Sequence, residues 1–351
     1  MRDNVPTPEE LNGSTYEVTA EITYMGHAVW APVLAGHLIW QADQWPAARV
    51  SFTIPRHDED GEDLLHDGRV GTDGHNVRLF AAASNTSRVW RWELGRFLID
   101  KITPSPGTLE VSAVLRTALV DAHKGAAPVG VAEAASVDMI IRTLCGSDNV
   151  TVAFDRGLSG VTVPKDFTIG TDRGRSLREL IEAWPAYVAP DENVDVVVRP
   201  IPTGTPGPGE VVTFSDRPGT GTVIGAKFTL ERSQVTNHVI VPVKDSDTVG
   251  QAWARYGKYS VDTYGWQSRT IDRASVATAA HASIVAHAEL QKALLRAVTV
   301  PVELFPDHRL EPYDLVGVTS REITGTGYIT GLDIPLSHAE TMVAHVGIQR
   351  F

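Results

Sequence analysis

The sequence predicts a β-rich α+β fold: two barrel-like domains flanking a small α+β domain, with one long helix inserted in the second. Three observations carry this. Apolar and polar residues alternate with period two through most of the 351 residues. Two segments with helical spacing interrupt that alternation near the middle of the chain. A Pro- and Gly-rich stretch then precedes a second run of strands and the longest helical pattern.

The elements follow in order. Residues 16–24 alternate, with Val18, Ala20, Ile22 and Tyr24 on one face. Residues 48–54 place Val50, Phe52 and Ile54 together and stop at Pro55. Alternation closed by a breaker is the pattern of a half-buried antiparallel strand. Residues 77–84, 96–103 and 109–116 read the same way, and 56–68 between them is a polar, acidic loop. Residues 131–145 set Val137, Ile140, Ile141 and Leu144 on one helical face. Residues 176–184 form a second helix, with Ser176 as its N-cap, Glu179 completing a capping box and Pro185 as the stop. Short strands are expected at 150–154, 162–170 and 195–201.

Residues 202–210 are the linker. Strands resume at 210–215, 222–231 and 235–243. The longest helix spans about 272–297, capped by Asp272 and rich in alanine, with Val276, Ala280, Ile284 and Leu294 along one stripe and Leu290 beside it. Residues 298–351 return to strands. The domain limits are therefore 1–14 (extension), 15–120 (first barrel-like domain), 121–204 (small α+β domain) and 205–351 (second barrel-like domain). The two β-rich parts share a plan, which points to duplication of one unit.

Composition narrows the function. Hydrophobic residues make up 42% and charged residues 21%, a globular balance that excludes disorder. Net charge is −12 with the basic residues scattered, so the chain lacks the clustered Lys and Arg that hold nucleic acid. No apolar run reaches the roughly 20 residues that span a bilayer. The polar N-terminus has no signal-peptide core.

A search for chemistry nominates no catalytic, cofactor-binding or metal-ligating residue. Cys145, the single cysteine, ends an apolar helical run and reads as a small buried hydrophobe. Residues 219–227 are glycine-rich, but their spacing fits neither nucleotide fingerprint, and a hairpin turn is expected there. The acidic stretch from Asp58 to Asp63 fails the calcium-loop offsets, with Asp63 at position six and Arg69 at twelve. It reads as a solvated loop. His281 and His287 lie six apart, too far round a helix to share a metal. His287 reads as a satisfied core or interface imidazole, and His338 and His345 flank a strand. Ser159 lacks the hydrolase elbow. The chain is expected not to be an enzyme and to need no cofactor.

Two stretches carry a family resemblance. Residues 175–202, RSLRELIEAWPAYVAPDENVDVVVRPIP, look like the small inner domain of phage tail-hub proteins. Residues 277–320 run from a helix into a strand and then a D-x-R-L-x-P-x-D-L-V turn from Asp307 to Val316, which resembles the second tube domain of the same hubs. The strand at 233–243 is similar too, with Asn237 where such hubs often have one. The resemblance is to bacteriophage baseplate-hub or minor tail proteins of siphophage type. It implies a homotrimer whose two tube domains per chain make a pseudo-sixfold ring. That ring would join a distal tail or tail tube protein above to a tip, fibre or tape-measure protein below or within it. DNA would be met only in transit, with no membrane anchor, in a virion assembled in the host cytoplasm. The chain would be the hub core alone. The runner-up is a β-rich receptor- or carbohydrate-binding tail component, for which the aromatics of residues 89–97 would serve. Trp90 and Trp92 share one face there, however, so burial is the expectation for them.

Overall fold

In the computed structural model the alternating segments form strands where the sequence places them. The structure describes residues 5–66, 68–131, 135–155, 162–163, 167–202, 212–216, 223–226, 235–244, 246–273, 275–276, 278–321, 323–337 and 340–350. The first half contains α1 (Pro8–Asn12), β1 (Thr15–Tyr24), β2 (His27–Pro32), β3 (Ala35–Gln41), β4 (Ala48–Pro55), β5 (Asn76–Ser84), β6 (Val89–Ser105) and β7 (Thr108–Leu115). Val18, Ala20 and Ile22 of β1 and Val50, Phe52 and Ile54 of β4 are buried, as their spacing requires. Tyr24 lies at the margin and stacks on His75 at 4.1 Å.

The small region holds α2 (Thr117–Ala122), β8 (Val129–Gly130), α3 (Val137–Gly146), β9 (Val152–Phe154), β10 (Thr168–Ile169), α4 (Arg173–Ala183), β11 (Ala186–Ala189) and β12 (Val196–Pro200). The four apolar residues expected on one face of α3 are all buried. Helix α4 begins earlier than its sequence reading. Asp172 is the cap, its Oδ1 accepting from the Arg175 amide at 3.0 Å. Ser176 lies inside the helix, where its hydroxyl donates to the Asp172 carbonyl and accepts from the Gly170 amide. An aspartate four residues upstream supplies the cap that a serine would otherwise give.

The second half comprises β13 (Val212–Ser215), β14 (Val223–Ala226), β15 (His238–Pro242), β16 (Val249–Trp253), α5 (Val261–Tyr264), β17 (Ser268–Thr270), α6 (Ala279–Ala297), β18 (Thr299–Leu304), β19 (Leu315–Thr319), β20 (Thr324–Pro335) and β21 (Met342–Arg350). Most of the linker, residues 203–210, and residues 219–222 and 227 of the glycine-rich stretch lie outside the described residues, as do Ser159 and His338; residues 223–226 of that stretch form β14.

Two expectations need correction. The long helix is not a lone insertion. It arrives with its own three-stranded sheet, ordered β16-β15-β17, and the two share a separate apolar core. Its buried face is Ala282, Val285, Ala286 and Leu290, whereas Ile284 of the expected stripe is 55% exposed. The reason is the close approach at Gly250, which admits Ala282 and turns the helix accordingly. The cap is Thr278, not Asp272.

Nor do the β-rich parts form two separate closed barrels. Thirteen strands make one sheet with the path β14-β18-β21-β20-β3-β4-β7-β6-β5-β1-β2, and β19 joins β13 to β20. The cause is β20. Residues 324–328 pair with β19, while residues 331–335 pair with β3 of the first half. The free edge of one half is thereby taken up by the other. Within the first half the sheet rolls. Its terminal strands β2 and β3 are joined by two residues, which reach about 11 Å. Seven flat strands would be about 29 Å wide. Two backbone bonds, Val33 N to Val18 O and Leu34 N to Thr53 O, tie that crossover to both neighbours.

The order of pairing occurs twice. The first half reads β3-β4-β7-β6-β5-β1 and the second β14-β18-β21-β20-β19-β13. Matched strands come in the same chain order, and the longest strand of each half, β6 and β20, takes the same place. All matched pairs are antiparallel except the last, where β13 runs parallel to β19.

Candidate assembly surfaces

Residues 305–314 form a loop that touches three parts of the molecule. Asp307 is almost fully buried. Its carboxylate accepts from the Arg309 amide and from Nε and Nη2 of the Arg309 guanidinium, at 2.8–3.1 Å. The bidentate pair fixes the turn. His308 then enters the first half, stacked on Tyr16 with ring centroids 5.2 Å apart and tilted against Trp92 at 5.3 Å. Glu311 meets Arg199 of β12 at 2.9 Å, and the Pro312 carbonyl accepts from the Tyr187 hydroxyl at 3.2 Å. Burial pushes the Tyr187 phenol up to about 12. Asp314 closes the loop by accepting from the Glu311 amide at 2.9 Å. The turn singled out in the sequence is thus the joint between the small sheet and both halves.

Asn237 is a second structural pin. It is fully buried, its Nδ2 donates to the carbonyls of Tyr259 and Gly265, and its Oδ1 accepts from the Gln267 amide. One side chain therefore holds the connection between β16 and β17 against the start of β15.

Helix α6 and its sheet dock onto the end of α4. His281 Nε2 bonds the Ala183 carbonyl at 2.7 Å, Glu179 accepts from the Ser275 amide, and Arg273 pairs with Glu182 at 2.7 Å. A cleft of about 290 Å³ lies beside this joint. Its charges are matched in place: Lys292 with Glu289, Arg296 with Asp43, and Arg178 over the Trp45 ring. Such matching fits a packed joint better than a site awaiting a charged ligand.

The remaining candidates take structural places. Cys145 is buried, and burial raises its thiol to about 12, so it carries no thiolate near neutrality. In the acidic loop, Asp58 binds Arg69 at 2.6 Å and Asp63 binds Arg56 at 2.7 Å. The loop is ion-paired rather than merely solvated, which the sequence could not show because the arginines flank it. Among the described residues no cluster of His, Cys, Asp and Glu could hold a metal ion. His287 is exposed and bonded to the Ser283 carbonyl, not seated in the core. His345 is half-buried, and burial lowers its pKa. Trp90 and Trp92 are buried, as expected. Among the described residues no helix is long and apolar enough to cross a membrane.

One aromatic surface was not foreseen. On the face of the small sheet opposite α6, Trp266 is 58% exposed, Trp253 is half-buried, and His238 is buried beneath them with its ring 4.8 Å from that of Trp266. Gln251 and Ser268 bond the two His238 nitrogens. These residues come from three short segments, so no single stretch of sequence signalled them.

Solved structures share this arrangement over nearly the whole chain. A tail protein from Neisseria meningitidis MC58 superposes with a TM-score of 0.65 at 12% identity, covering 94% of this chain and 96% of that one. The chain has a phage tail-protein fold. The 43 kDa tail protein of prophage MuSo2 from Shewanella oneidensis gives 0.60 at 11% identity, covering 95% and 98%. An Escherichia coli component of the type VI secretion system, described as similar to the T4 bacteriophage tail proteins gp27 and gp5, gives 0.54 at 11% identity over 93% and 76%. No protein-family model and no curated protein sequence matches the chain. At such identities the likeness is one of fold.

Proposed function

We propose that this chain is the structural hub of a phage tail tip or baseplate. It forms a homotrimer whose two halves per chain build a pseudo-sixfold ring. That ring joins the sixfold tail tube or distal tail ring to the threefold tip and encloses the channel through which DNA leaves. The observation that carries the reading is the repeated order of strand pairing. Three copies of a duplicated unit present six related units around one axis, and symmetry then requires complementary patches on the two halves. The tail-protein fold of the similar structures supports the same reading.

In this proposal residues 15–120 and 205–351 are the ring-forming domains, residues 121–204 brace them, and residues 1–14 extend from the first. The neighbours are other tail proteins above and below. The chain is a virion component, not an enzyme, and takes no cofactor. With a net charge of −12, an acidic lumen would let DNA pass without holding it. Light scattering of the purified chain, followed by imaging, tests the ring. Threefold particles with a central opening are expected, and a stable monomer would remove the proposal.

The exposed Trp266, beside the half-buried Trp253, favours a second reading, a receptor- or carbohydrate-binding tail component, since exposed aromatic faces stack on sugar rings. A glycan array decides it: retention of a polysaccharide that Trp266→Ala abolishes would establish binding, and no retention would dismiss it.

A further inference from the structure

Each half of the molecule has a long strand that outlasts its neighbour. In the second half, β19 covers β20 only as far as Tyr328, and residues 331–335 beyond it receive β3. In the first half, β5 covers β6 only over residues 89–98, and residues 99–105 pair with β7 on the other side. Ile99 still donates to the His75 carbonyl. On that side, residues 100–105 have no strand partner among the described residues, and all six are exposed or half-exposed. The strip that accepts β3 in one half receives no strand of the described residues in the other.

The complementary piece is also left over. The counterpart of β3 in the repeated order is β14. Strand β3 lies between β4 and β20, whereas β14 pairs with β18 alone among the described residues. Among the described residues one chain therefore presents one unfilled strip and one strand edge, related to each other as β20 and β3 are related within the chain. An open edge of this kind invites another chain. Lys101 and Pro104 restrict what can add there, because a lysine and a missing donor disfavour indiscriminate pairing.

We infer that β14 of one molecule adds to β6 of the next at residues 100–105, repeating between molecules the β3–β20 joint made within each. The occupant is a second copy of this chain. The contact is head-to-tail, so its two surfaces differ, and it closes only when the rotation returns to the start. This inference rests on the ring proposed above and names the strands that make its contacts.

Cysteine cross-linking of the full chain tests it, in a Cys145→Ala background. Gly225→Cys is placed in β14, where an added Cβ would meet nothing closer than Glu303 at 3.6 Å. It is combined in turn with Lys101→Cys, Ile102→Cys and Thr103→Cys. Covalent dimers and trimers after mild oxidation of a trimeric particle are expected for at least one pair. A trimer by light scattering that yields only single-chain bands with all three pairs overturns the β14–β6 joint and leaves the ring standing. A monomer overturns both. Hydrogen exchange of the unaltered protein gives an independent measure. The amides of 100–103 that point away from β7 should exchange about tenfold or more slowly in the intact trimer than in free chain, since those pointing to β7 are already bonded within one chain. Unprotected amides in an intact trimer would overturn the joint.

Discussion

Arg199 and Glu311 meet at 2.9 Å, and each comes from one of the two sequence stretches that resemble tail hubs. Arg199 ends the strand of the small sheet, and Glu311 sits in the turn that leads to β19. Their side chains are 23% and 11% exposed. Burial disfavours the Arg199 cation, but Glu311 and Tyr187 together more than offset this and the guanidinium pKa is raised. Both stretches therefore lie on one joint, and that joint positions the small region against the second half.

Breaking one partner of a largely buried pair is costly because the other is left uncompensated. Glu311→Ala should destabilise the chain by about 2–3 kcal/mol, less than for a fully buried pair because Arg199 keeps some water. Replacing both, Arg199→Met with Glu311→Leu, should recover most of that loss. Chemical denaturation measures both variants. An unchanged midpoint for Glu311→Ala would show that the pair does not hold the joint.

Asn237 makes the second case. Its amide satisfies two carbonyls and one amide, all inside the protein. Asn237→Ala leaves those three backbone groups without this partner, at about 1–3 kcal/mol for each group that water cannot reach. Loss of several kcal/mol is expected, together with faster hydrogen exchange across 259–267. A melting temperature within a degree of the parent would contradict this role.

Legibility followed the range of the forces involved. Strands β1, β4, β5 and β7 were readable because burial on one face imposes period two within the strand itself. The turn at Asp307–Val316 was visible because aspartate, proline and arginine act over a few residues. Strand β3 was missed, although it joins the halves. Its residues Leu38, Ile39 and Trp40 are apolar in succession although only Leu38 and Trp40 are buried, so the alternation of burial does not show in the sequence. The single continuous sheet was hidden because which strand edges meet is set by β20, nearly 300 residues away. Strand β16 fully buries only Gly250 and Ala252, both small, and all three residues of β17 are exposed, so neither shows an apolar alternation. The buried stripe of α6 was misassigned because it is fixed by Gly250 across a tertiary contact, not by the helix. The aromatic face of His238, Trp253 and Trp266 is assembled from separate segments and left no local pattern.

The acidic loop carries a pH dependence. The hydrogen bond from Arg56 holds Asp63 down at about 2, against the ordinary 3.8. Asp58 is lowered as well, first by the Glu62 amide and then by Arg69. A depressed carboxylate pKa stabilises the folded loop fully above the ordinary value and loses that effect as pH falls through the folded one. The loop should therefore stay locked at pH 5 and loosen between about pH 4 and pH 2. Titration of the Asp63 carboxyl by NMR should show a midpoint near 2 that Arg56→Ala returns toward 3.8. A parent midpoint near 4 would mean that the arginine does not hold it.

Cys145 should be inert. Its thiol is buried and raised to about 12, first by desolvation and then by the nearby carboxylates of Asp148 and Asp195. At pH 8 almost none is thiolate, which is the reactive form. Ellman's reagent should leave the native chain unlabelled over hours and label one thiol in denaturant. Rapid labelling of the folded protein would place the thiol at the surface.

Gly250 sets how closely β16 approaches α6. A Cβ there would lie 2.2 Å from the Ala282 carbonyl carbon and 2.3 Å from the Ser283 nitrogen, both backbone atoms that cannot swing aside. Helix and sheet would have to separate, opening the core formed by Val239, Val241, Ala252, Val285 and Ala286. Overpacking of this kind costs about 1–3 kcal/mol, and more where backbone must move. Gly250→Ala should therefore destabilise the 238–297 unit, seen as faster hydrogen exchange in α6 and β15. The thirteen-stranded sheet has its own apolar core, so β4 and β7 should exchange as in the parent. Because α6 also binds α4 through His281, partial loosening of residues 173–183 should accompany the change. A variant with parent-like exchange throughout α6 would show that the approach at Gly250 is not the constraint that orients the helix.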